Sequence, residues 1–246
     1  MKTSTKKAKL LINIIKIFAL HYYYKHKNIT PINFLHIGKT GGTSIKFALY
    51  PYRRFKNYIF FFHPHEIKLK FIPRGGKIIF FLRDPVSRFV SAFNSRKRMG
   101  MPRYYFPWNH DEKIAFENFN NANELAISLS KKNKKYQKAI CAMKSIQHVK
   151  DSYWDWFEDK IYFKSRLEDI IFWGFQESLN QGFEEVKQLF SLPINLKLPV
   201  DDINAHRSPE DAAVILNEQA IENLKIWYFK DYKFITMCEE ILQLRK

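Results

Sequence analysis

The sequence predicts an α/β fold, in which a mostly parallel central sheet is flanked by helices to make three layers. Two observations support this prediction. The runs YIFFF (58–62) and IIFFL (78–82) are continuously apolar, which is typical of strands buried on both faces of a parallel sheet. The apolar runs that end at Leu35 and Leu82 are each followed by a polar turn and a segment with helical spacing, the order found in βαβ units.

The length of 246 residues suits one such domain with a sizeable core. We therefore predict a basic amphipathic N-terminal segment over residues 1–30 and a single domain over residues 31–246. One or two further strands are expected within residues 161–175, around a turn. Apolar spacing predicts helices over residues 116–130, 134–146, 177–192, 211–229 and 232–244.

The stretch FLHIGKTGGTS (34–44) combines a lysine, adjacent glycines and three hydroxyl residues in the loop after a short apolar run. Gly41 and Gly42 have no Cβ, so the backbone N–H groups can approach an anion closely, and Lys39 adds a point charge. The hydroxyl residues then open a helix whose N-terminal amides favour negative charge. The loop therefore predicts a phosphate-like anion site, the structural alternative being a glycine turn that binds nothing.

The order of residues in this loop excludes two common nucleotide motifs. In a Walker A loop the lysine follows the last glycine, whereas Lys39 precedes Gly41 and Gly42. The glycine spacing also does not match the dinucleotide fingerprint G-x-G-x-x-G. Ordinary ATP, GTP or dinucleotide binding is therefore disfavoured.

A second polar cluster directly follows the apolar run 78–82. Arg83 comes at the carboxyl end of that run, Pro85 suits the first position of a helix, and Ser91 lies further along the same helix. Open α/β sheets bind ligands at the carboxyl ends of their strands, so we expect Arg83 beside the loop around Lys39. Two anion sites on neighbouring strands indicate a ligand with two separated anionic groups.

The two motifs together resemble those of the sulfotransferases that use 3′-phosphoadenosine 5′-phosphosulfate (PAPS). HIGKTGGTS is similar to the family's 5′-phosphosulfate loop, and RDPVSRFVSAF is similar to its 3′-phosphate motif of arginine and serine eight residues apart. The resemblance covers residues 34–96 clearly and residues 173–190 loosely. It implies a P-loop-like fold, PAPS as donor and no metal. The family commonly has proline before the lysine, where this chain has Gly38.

The resemblance also implies a role for each residue. Lys39 would contact the bridging oxygen and the sulfuryl group, while Arg83 and Ser91 would bind the 3′-phosphate. The 5′-phosphate would be bound by backbone and hydroxyl donors of Thr40, Gly41, Gly42, Thr43 and Ser44. Arg207 lies in a later turn that could close over the nucleotide, although an exposed arginine at a helix cap fits the same pattern.

The base for the incoming hydroxyl is expected in the segment HPHE after the run 58–62. Histidines at the end of a parallel strand face the ligand edge, and a neutral imidazole accepts a proton near neutral pH. The segment resembles the histidine pair of uronyl 2-O-sulfotransferases, which implies His65 as base and His63 as its support or alternate. Glu66 could orient the ring or act as base itself. A structural role for the histidines is the alternative.

The composition limits the partners. The formal net charge is +17, from 41 basic and 24 acidic residues, which favours polyanions. Nucleic acid is not expected, because no zinc spacing, RNP motif or basic dimerisation helix is found. With the resemblance, the charge points to a hydroxyl-bearing acceptor, preferably an acidic glycan. The two cysteines, Cys141 and Cys238, form no disulfide or zinc pattern.

Two other functions stay open. An ATP-dependent P-loop phosphotransferase would need a carboxylate that holds Mg²⁺ near Thr40, and the candidate Asp84 fits better as the cap of its helix. A non-catalytic basic module would bind anionic polymers through charge alone.

The N-terminal segment joins lysines to an apolar run that is too short to span a bilayer and lacks a small-residue cleavage site. Its apolar residues recur at helical spacing, which suits peripheral contact with a membrane through residues 6–24. The alternative is a helix packed on the domain's own sheet. We expect a cytoplasmic, membrane-associated protein.

Overall fold

The computed structural model describes residues 2–201 and 215–245, with the side chains of residues 2–6 left aside. The chain forms two compact units. The first, here called the sheet unit, comprises Met1–Leu82 and Trp154–Pro199. The second, the helical unit, comprises Arg83–Tyr153 and Val200–Lys246. The predicted division at residue 30 stays a prediction.

Five strands form one sheet in the sheet unit: β1 (Thr30–Leu35), β2 (Arg54–Phe55), β3 (Tyr58–Phe62), β4 (Lys77–Leu82) and β5 (Ile170–Phe175). Their order is β2-β3-β1-β4-β5. The neighbouring pairs are parallel except β2 with β3, which is antiparallel. The predicted α/β class with a mostly parallel sheet and flanking helices is therefore confirmed.

Eleven α-helices occur among the described residues: α1 (Lys2–His26), α2 (Gly42–Leu49), α3 (Pro85–Lys97), α4 (His110–Asn118), α5 (Ala122–Ile127), α6 (Tyr136–Ser145), α7 (Trp154–Phe157), α8 (Lys160–Lys164), α9 (Leu179–Phe190), α10 (Glu218–Trp227) and α11 (Phe229–Leu244). The helices expected at 134–146, 177–192 and 232–244 are confirmed as α6, α9 and α11. Of the helix expected over 211–229, α10 forms the described part, and residues 211–214 lie outside the described residues.

The sheet has apolar packing on both faces, which explains why its strands are continuously apolar. On one face, phenylalanines of β1, β3 and β4 pack against α2 and α9 in a buried cluster that includes Phe34, Phe60 and Phe81. On the other face, Phe80 contacts the ring of Phe157 in α7 at a centroid distance of 4.7 Å.

Of the one or two strands expected within residues 161–175, one is confirmed as β5, and two details of the prediction need correction. Residues 161–169 form α8 and a turn rather than a strand, because the Asp159 side chain accepts a hydrogen bond from the Tyr162 N–H and starts a helix. The turn after it is held by Arg166, whose Nε donates to Asp169 at 2.6 Å. The single helix expected over 116–130 is two helices, because the Asn121 side chain caps α5 at the Glu124 N–H.

The helical unit has its own buried core, which joins α3, α4, α5, α6 and α10 through residues such as Phe89, Phe93 and Leu224. Arg96 and Glu112 form a buried pair in this unit, with Arg96 Nε and Nη2 donating to the two carboxylate oxygens at 2.8 and 2.7 Å. A paired, hydrogen-bonded charge of this kind is tolerated in a core, so Arg96 is structural.

Candidate functional site

Two of the predicted polar segments, the ones after β1 and β3, begin at the same edge of the sheet. β1 pairs in parallel with β3 on one side and β4 on the other, with Leu35 opposite Phe80 and Phe34 opposite Phe62. The carboxyl ends of these strands therefore lie at one edge, where ligands of open α/β sheets bind. Residues 36–42 follow β1, residues 63–65 follow β3, and Arg83 is the next residue in the chain after β4.

The loop after β1 (residues 36–42, here called the lysine loop) has two residues in the left-handed backbone region. Lys39 has φ 68° and Gly41 has φ 80°. The Thr40 hydroxyl donates to the carbonyl oxygen of Ile37 at 3.0 Å, so this buried side chain holds the turn together. Left-handed backbone at a non-glycine residue costs energy and concentrates at functional sites, and Lys39 is such a residue.

Close contacts require glycine at positions 41 and 42 of the lysine loop. A Cβ on Gly42 would lie 2.5 Å from Cδ2 of His36, and one on Gly41 would lie 2.9 Å from a methyl group of Leu179. α2 begins at Gly42, and Gly41 provides no capping side chain. The N–H of Ser44 donates to the carbonyl oxygen of Gly41 at 3.1 Å. The N–H groups before it in α2 have no partner within the helix, so this helix start can donate to an anion. Thr43 and Ser44 occupy its first turn.

His65 is held in one orientation by hydrogen bonds at both its ring and its backbone. Its Nδ1 lies 2.7 Å from the carbonyl oxygen of His36, and a carbonyl only accepts, so Nδ1 carries the proton. Its own carbonyl oxygen accepts from the indole Nε1 of Trp156 at 3.1 Å. In the neutral ring Nε2 is then the nitrogen that carries the lone pair, which is the tautomer that a general base acting through Nε2 needs.

His36 was not among the sequence candidates, although it lies inside the quoted motif HIGKTGGTS. Its ring is 4.2 Å from the ring of His65 between centroids, and it occupies the space that a side chain at Gly42 would need. Its carbonyl oxygen orients His65. His36 thus connects the lysine loop with residues 63–65. Its position directly after β1 is the feature of the sequence that could have identified it as a site residue. Glu66, by contrast, is exposed.

His63 belongs to a buried hydrogen-bond chain. Its Nε2 donates to Oδ1 of Asn33 at 2.9 Å, and Nδ2 of Asn33 donates to Nε2 of His21 at 2.9 Å and to the carbonyl oxygen of Lys77 at 3.0 Å. Nδ1 of His21 donates to the carbonyl oxygen of Ile17 at 2.8 Å. The chain requires a neutral His21 ring, because a proton on its Nε2 would face the amide donor of Asn33. The one feature of the sequence that could have predicted this hydrogen-bond chain is Asn33, a polar residue within an apolar strand.

The pKa values of both rings follow from this burial. Desolvation lowers the pKa of His63 from 6.5 to about 3, with a smaller contribution from His21. Desolvation also lowers the pKa of His21. His63 therefore stays neutral at physiological pH and holds a proton poorly, which makes it a weaker candidate for the base than His65.

We expect the stability of the protein to fall as the pH is lowered from 6.5 to 5. Above pH 6.5 His63 is neutral in both the folded and the unfolded chain. Below pH 6.5 it becomes protonated in the unfolded chain but stays neutral in the folded chain, where its pKa is about 3. One such proton lowers the free energy of unfolding by about 1.4 kcal/mol per pH unit. Urea unfolding across this window measures the slope. His63→Gln, which keeps a donor to Asn33, should flatten the slope, and the exposed His110→Gln should not. Equal slopes in all three proteins would contradict this origin.

In the helical unit, Arg83 is fixed through its backbone. Its N–H donates to the hydroxyl oxygen of Tyr153 at 3.0 Å, and that hydroxyl donates to the Arg83 carbonyl oxygen at 2.5 Å. Asp84 caps α3 as expected, because its side chain accepts from the Ser87 N–H at 2.8 Å. The Asp84 carboxylate also accepts from the hydroxyl of Tyr232 at 2.7 Å. Ser91 is half-buried on α3.

A buried network of charged side chains surrounds Tyr153, the residue that holds the Arg83 backbone. The guanidinium of Arg88 lies 4.8 Å from the centroid of the Tyr153 ring and donates to the carbonyl oxygen of Asp151 at 2.5 Å. The Asp231 carboxylate accepts from the N–H of Tyr153 at 2.7 Å and from the Ser152 hydroxyl at 2.6 Å. Tyr153 and Asp231 were not predicted, since neither lies near Arg83 in the sequence. Tyr153 positions the Arg83 backbone, and Asp231 in turn holds the backbone of Tyr153.

Among residues 2–201 and 215–245, no group of three or more His, Cys, Asp or Glu side chains is arranged to hold a metal ion. No helix in the part of the chain that the structure describes combines the length and apolar character that crossing a membrane requires. Arg207 lies outside the described residues. Comparisons with protein-family models, with curated proteins and with solved structures found no match.

Proposed function

We propose that this protein is a sulfotransferase with a P-loop-like fold that moves a sulfuryl group from PAPS to a hydroxyl group. One observation carries the proposal. The lysine loop, with left-handed Lys39 and an uncapped helix start, begins at the same sheet edge as His65, whose Nε2 is set up to accept a proton. An anion site beside a base is what transfer of an anionic group to a hydroxyl requires.

The lysine loop stabilises the leaving group in this proposal. The donor supplies a sulfuryl group on a phosphate, and negative charge grows on the bridging oxygen as that bond breaks. The Lys39 ammonium neutralises this charge, and backbone donors of Thr40 to Ser44 bind the 5′-phosphate. The Thr40 hydroxyl is used inside the loop, so its contribution is through the main chain.

His65 serves as the base. Its Nδ1–H bond to His36 leaves Nε2 to accept the proton of the acceptor hydroxyl. His63 supports the segment from within the buried chain with Asn33. Its lowered pKa makes it the second choice, and Glu66 is the third.

Arg83 and Ser91 bind the 3′-phosphate of the donor. Tyr153 fastens the Arg83 backbone at both its N–H and its carbonyl oxygen, which fixes the point from which the guanidinium extends. Arginine suits phosphate because its planar donors can form paired hydrogen bonds. The acceptor is proposed to be an acidic glycan, because the net charge is +17.

Calorimetric titration with 3′,5′-ADP, the product nucleotide, tests the donor site. The unaltered protein should bind it without added metal. Arg83→Ala should weaken binding by about 10- to 100-fold, because a hydrogen-bonded charge on phosphate is lost. The matched control is Arg53→Ala, an exposed arginine before β2, which should bind as the unaltered protein does. Equal affinities of all three proteins for 3′,5′-ADP would show that Arg83 does not bind the nucleotide.

The same titration separates the two alternatives. A P-loop phosphotransferase would bind ATP with Mg²⁺ more tightly than 3′,5′-ADP. Asp84 argues against it, since this carboxylate already accepts hydrogen bonds from Ser87 and Tyr232. A basic polyanion-binding module would bind heparin with strong salt dependence and show no saturable nucleotide site.

A further inference from the structure

The N-terminal helix α1 has two apolar faces. The inner face packs on the sheet, where Ile17 and His21 are buried and the Tyr24 ring lies 5.9 Å from the ring of Phe61. His21 is hydrogen-bonded to Asn33 in β1, which ties the helix to the strand that precedes the lysine loop. The prediction of a helix packed on its own sheet is therefore supported for this face, and it leaves the outer face to be explained.

The outer face is apolar and exposed. Six large side chains on it are between 49% and 70% exposed: Leu11, Ile12, Ile15, Phe18, Tyr22 and Tyr23. At about 100° per residue they project over a continuous arc of about 140°, opposite Ile17. Contiguous apolar surface of this kind is rare on a water-facing helix and marks a binding surface.

Lysines border this apolar arc on both sides. The same helical geometry places Lys7 and Lys25 along one border and Lys9 and Lys16 along the other, and all four are exposed. The sequence of α1 contains no acidic residue. A second copy of this face would bring like charges together, whereas an anionic surface would complement them. Lysine side chains at such borders reach the headgroup level while the apolar residues insert.

We propose that the outer face of α1 binds the surface of an anionic membrane, with the helix lying in the interface. The inner face keeps its contacts with β1 in this arrangement, so binding requires no unfolding of the sheet unit. The helix lies on the membrane and does not cross it, in keeping with its length and lysine content. The proposal does not depend on the sulfotransferase activity.

Flotation of the full chain with lipid vesicles tests the proposal. Vesicles of phosphatidylcholine with about 30% phosphatidylserine should carry the protein, and pure phosphatidylcholine vesicles should carry at least about tenfold less. The double variant Ile15→Glu and Phe18→Glu should lower binding to the anionic vesicles by about tenfold or more, because apolar insertion is lost. Lys9→Glu with Lys16→Glu should lower it by a similar factor and reduce its salt dependence.

The matched control is Ile161→Glu, which places the same charge on a side chain that is 83% exposed in α8. It should bind vesicles as the unaltered protein does. Circular dichroism and thermal unfolding should be unchanged in all variants, since the substituted side chains are exposed. Failure of the unaltered protein to float, or equal flotation of the Ile15 and Phe18 variant, would overturn the proposal. Vesicle-independent dimers that this variant abolishes would replace it with a self-association surface.

Discussion

Replacement of His65 by glutamine is expected to lower the rate of sulfuryl transfer by about 10²- to 10⁴-fold, the usual contribution of a positioned general base. Glutamine can still donate to the His36 carbonyl oxygen, so the segment after β3 should keep its shape. It has no group that accepts a proton near neutral pH. Affinity for 3′,5′-ADP should change little, because the proposed nucleotide contacts lie in other segments.

The measurement is release of 3′,5′-ADP from PAPS in the presence of a panel of desulfated uronic-acid polysaccharides. His110→Gln, an exposed histidine at the start of α4, is the control and should turn over normally. Retained activity in His65→Gln would show that His65 is not the base and would leave His63 and Glu66 as the candidates. Lost nucleotide binding in the same variant would show that His65 acts through the fold of the loop instead.

Replacement of Lys39 by glycine is expected to lower the rate of sulfuryl transfer and to give a more stable protein than replacement by alanine. Loss of the ammonium should lower the transfer rate by about 10²- to 10³-fold, as for other groups that stabilise a developing anion. Lys39 has φ 68°, which glycine adopts freely. The free energy of unfolding of Lys39→Gly should therefore exceed that of Lys39→Ala by about 1 kcal/mol.

Lys56 provides the control for this experiment, because it also has a positive φ, of 51°, in the turn between β2 and β3. Lys56→Gly should show the same stability difference from Lys56→Ala, and both variants should keep full activity. Chemical denaturation and the release of 3′,5′-ADP measure the two effects separately. A Lys39→Gly protein that is active would show that Lys39 has no role in the reaction. One that is less stable than Lys39→Ala would show that the backbone at this position is not strained.

Much of the fold could be predicted because it depends on local pattern. The continuous apolar runs identified β3 and β4, and Asp84 with Pro85 identified the start of α3. The apolar pattern gave the wrong secondary structure where a single hydrogen bond from a polar side chain starts a helix. Residues 161–169 carry enough apolar residues for a strand, and the cap from Asp159 makes the segment helical instead.

The candidate site shows the same division. The glycines and lysine of the loop, the histidines after β3 and the arginine after β4 are consecutive in short segments, so their residue types alone predicted an anion site. The contacts that orient them come from far along the chain. Tyr153 fastens Arg83 from 70 residues away, and Trp156 holds the His65 carbonyl oxygen from 91 residues away.

By itself, the sequence determined the α/β class, the position of each polar segment at the end of a strand, and the charge that an anionic ligand would meet, because these depend on residue type and spacing. Only the tertiary structure decided which nitrogen of His65 can accept a proton, that His63 is a buried neutral group, and that α1 has a second, outward apolar face. Those properties depend on which groups become neighbours when distant segments pack together, and no local pattern contains that information.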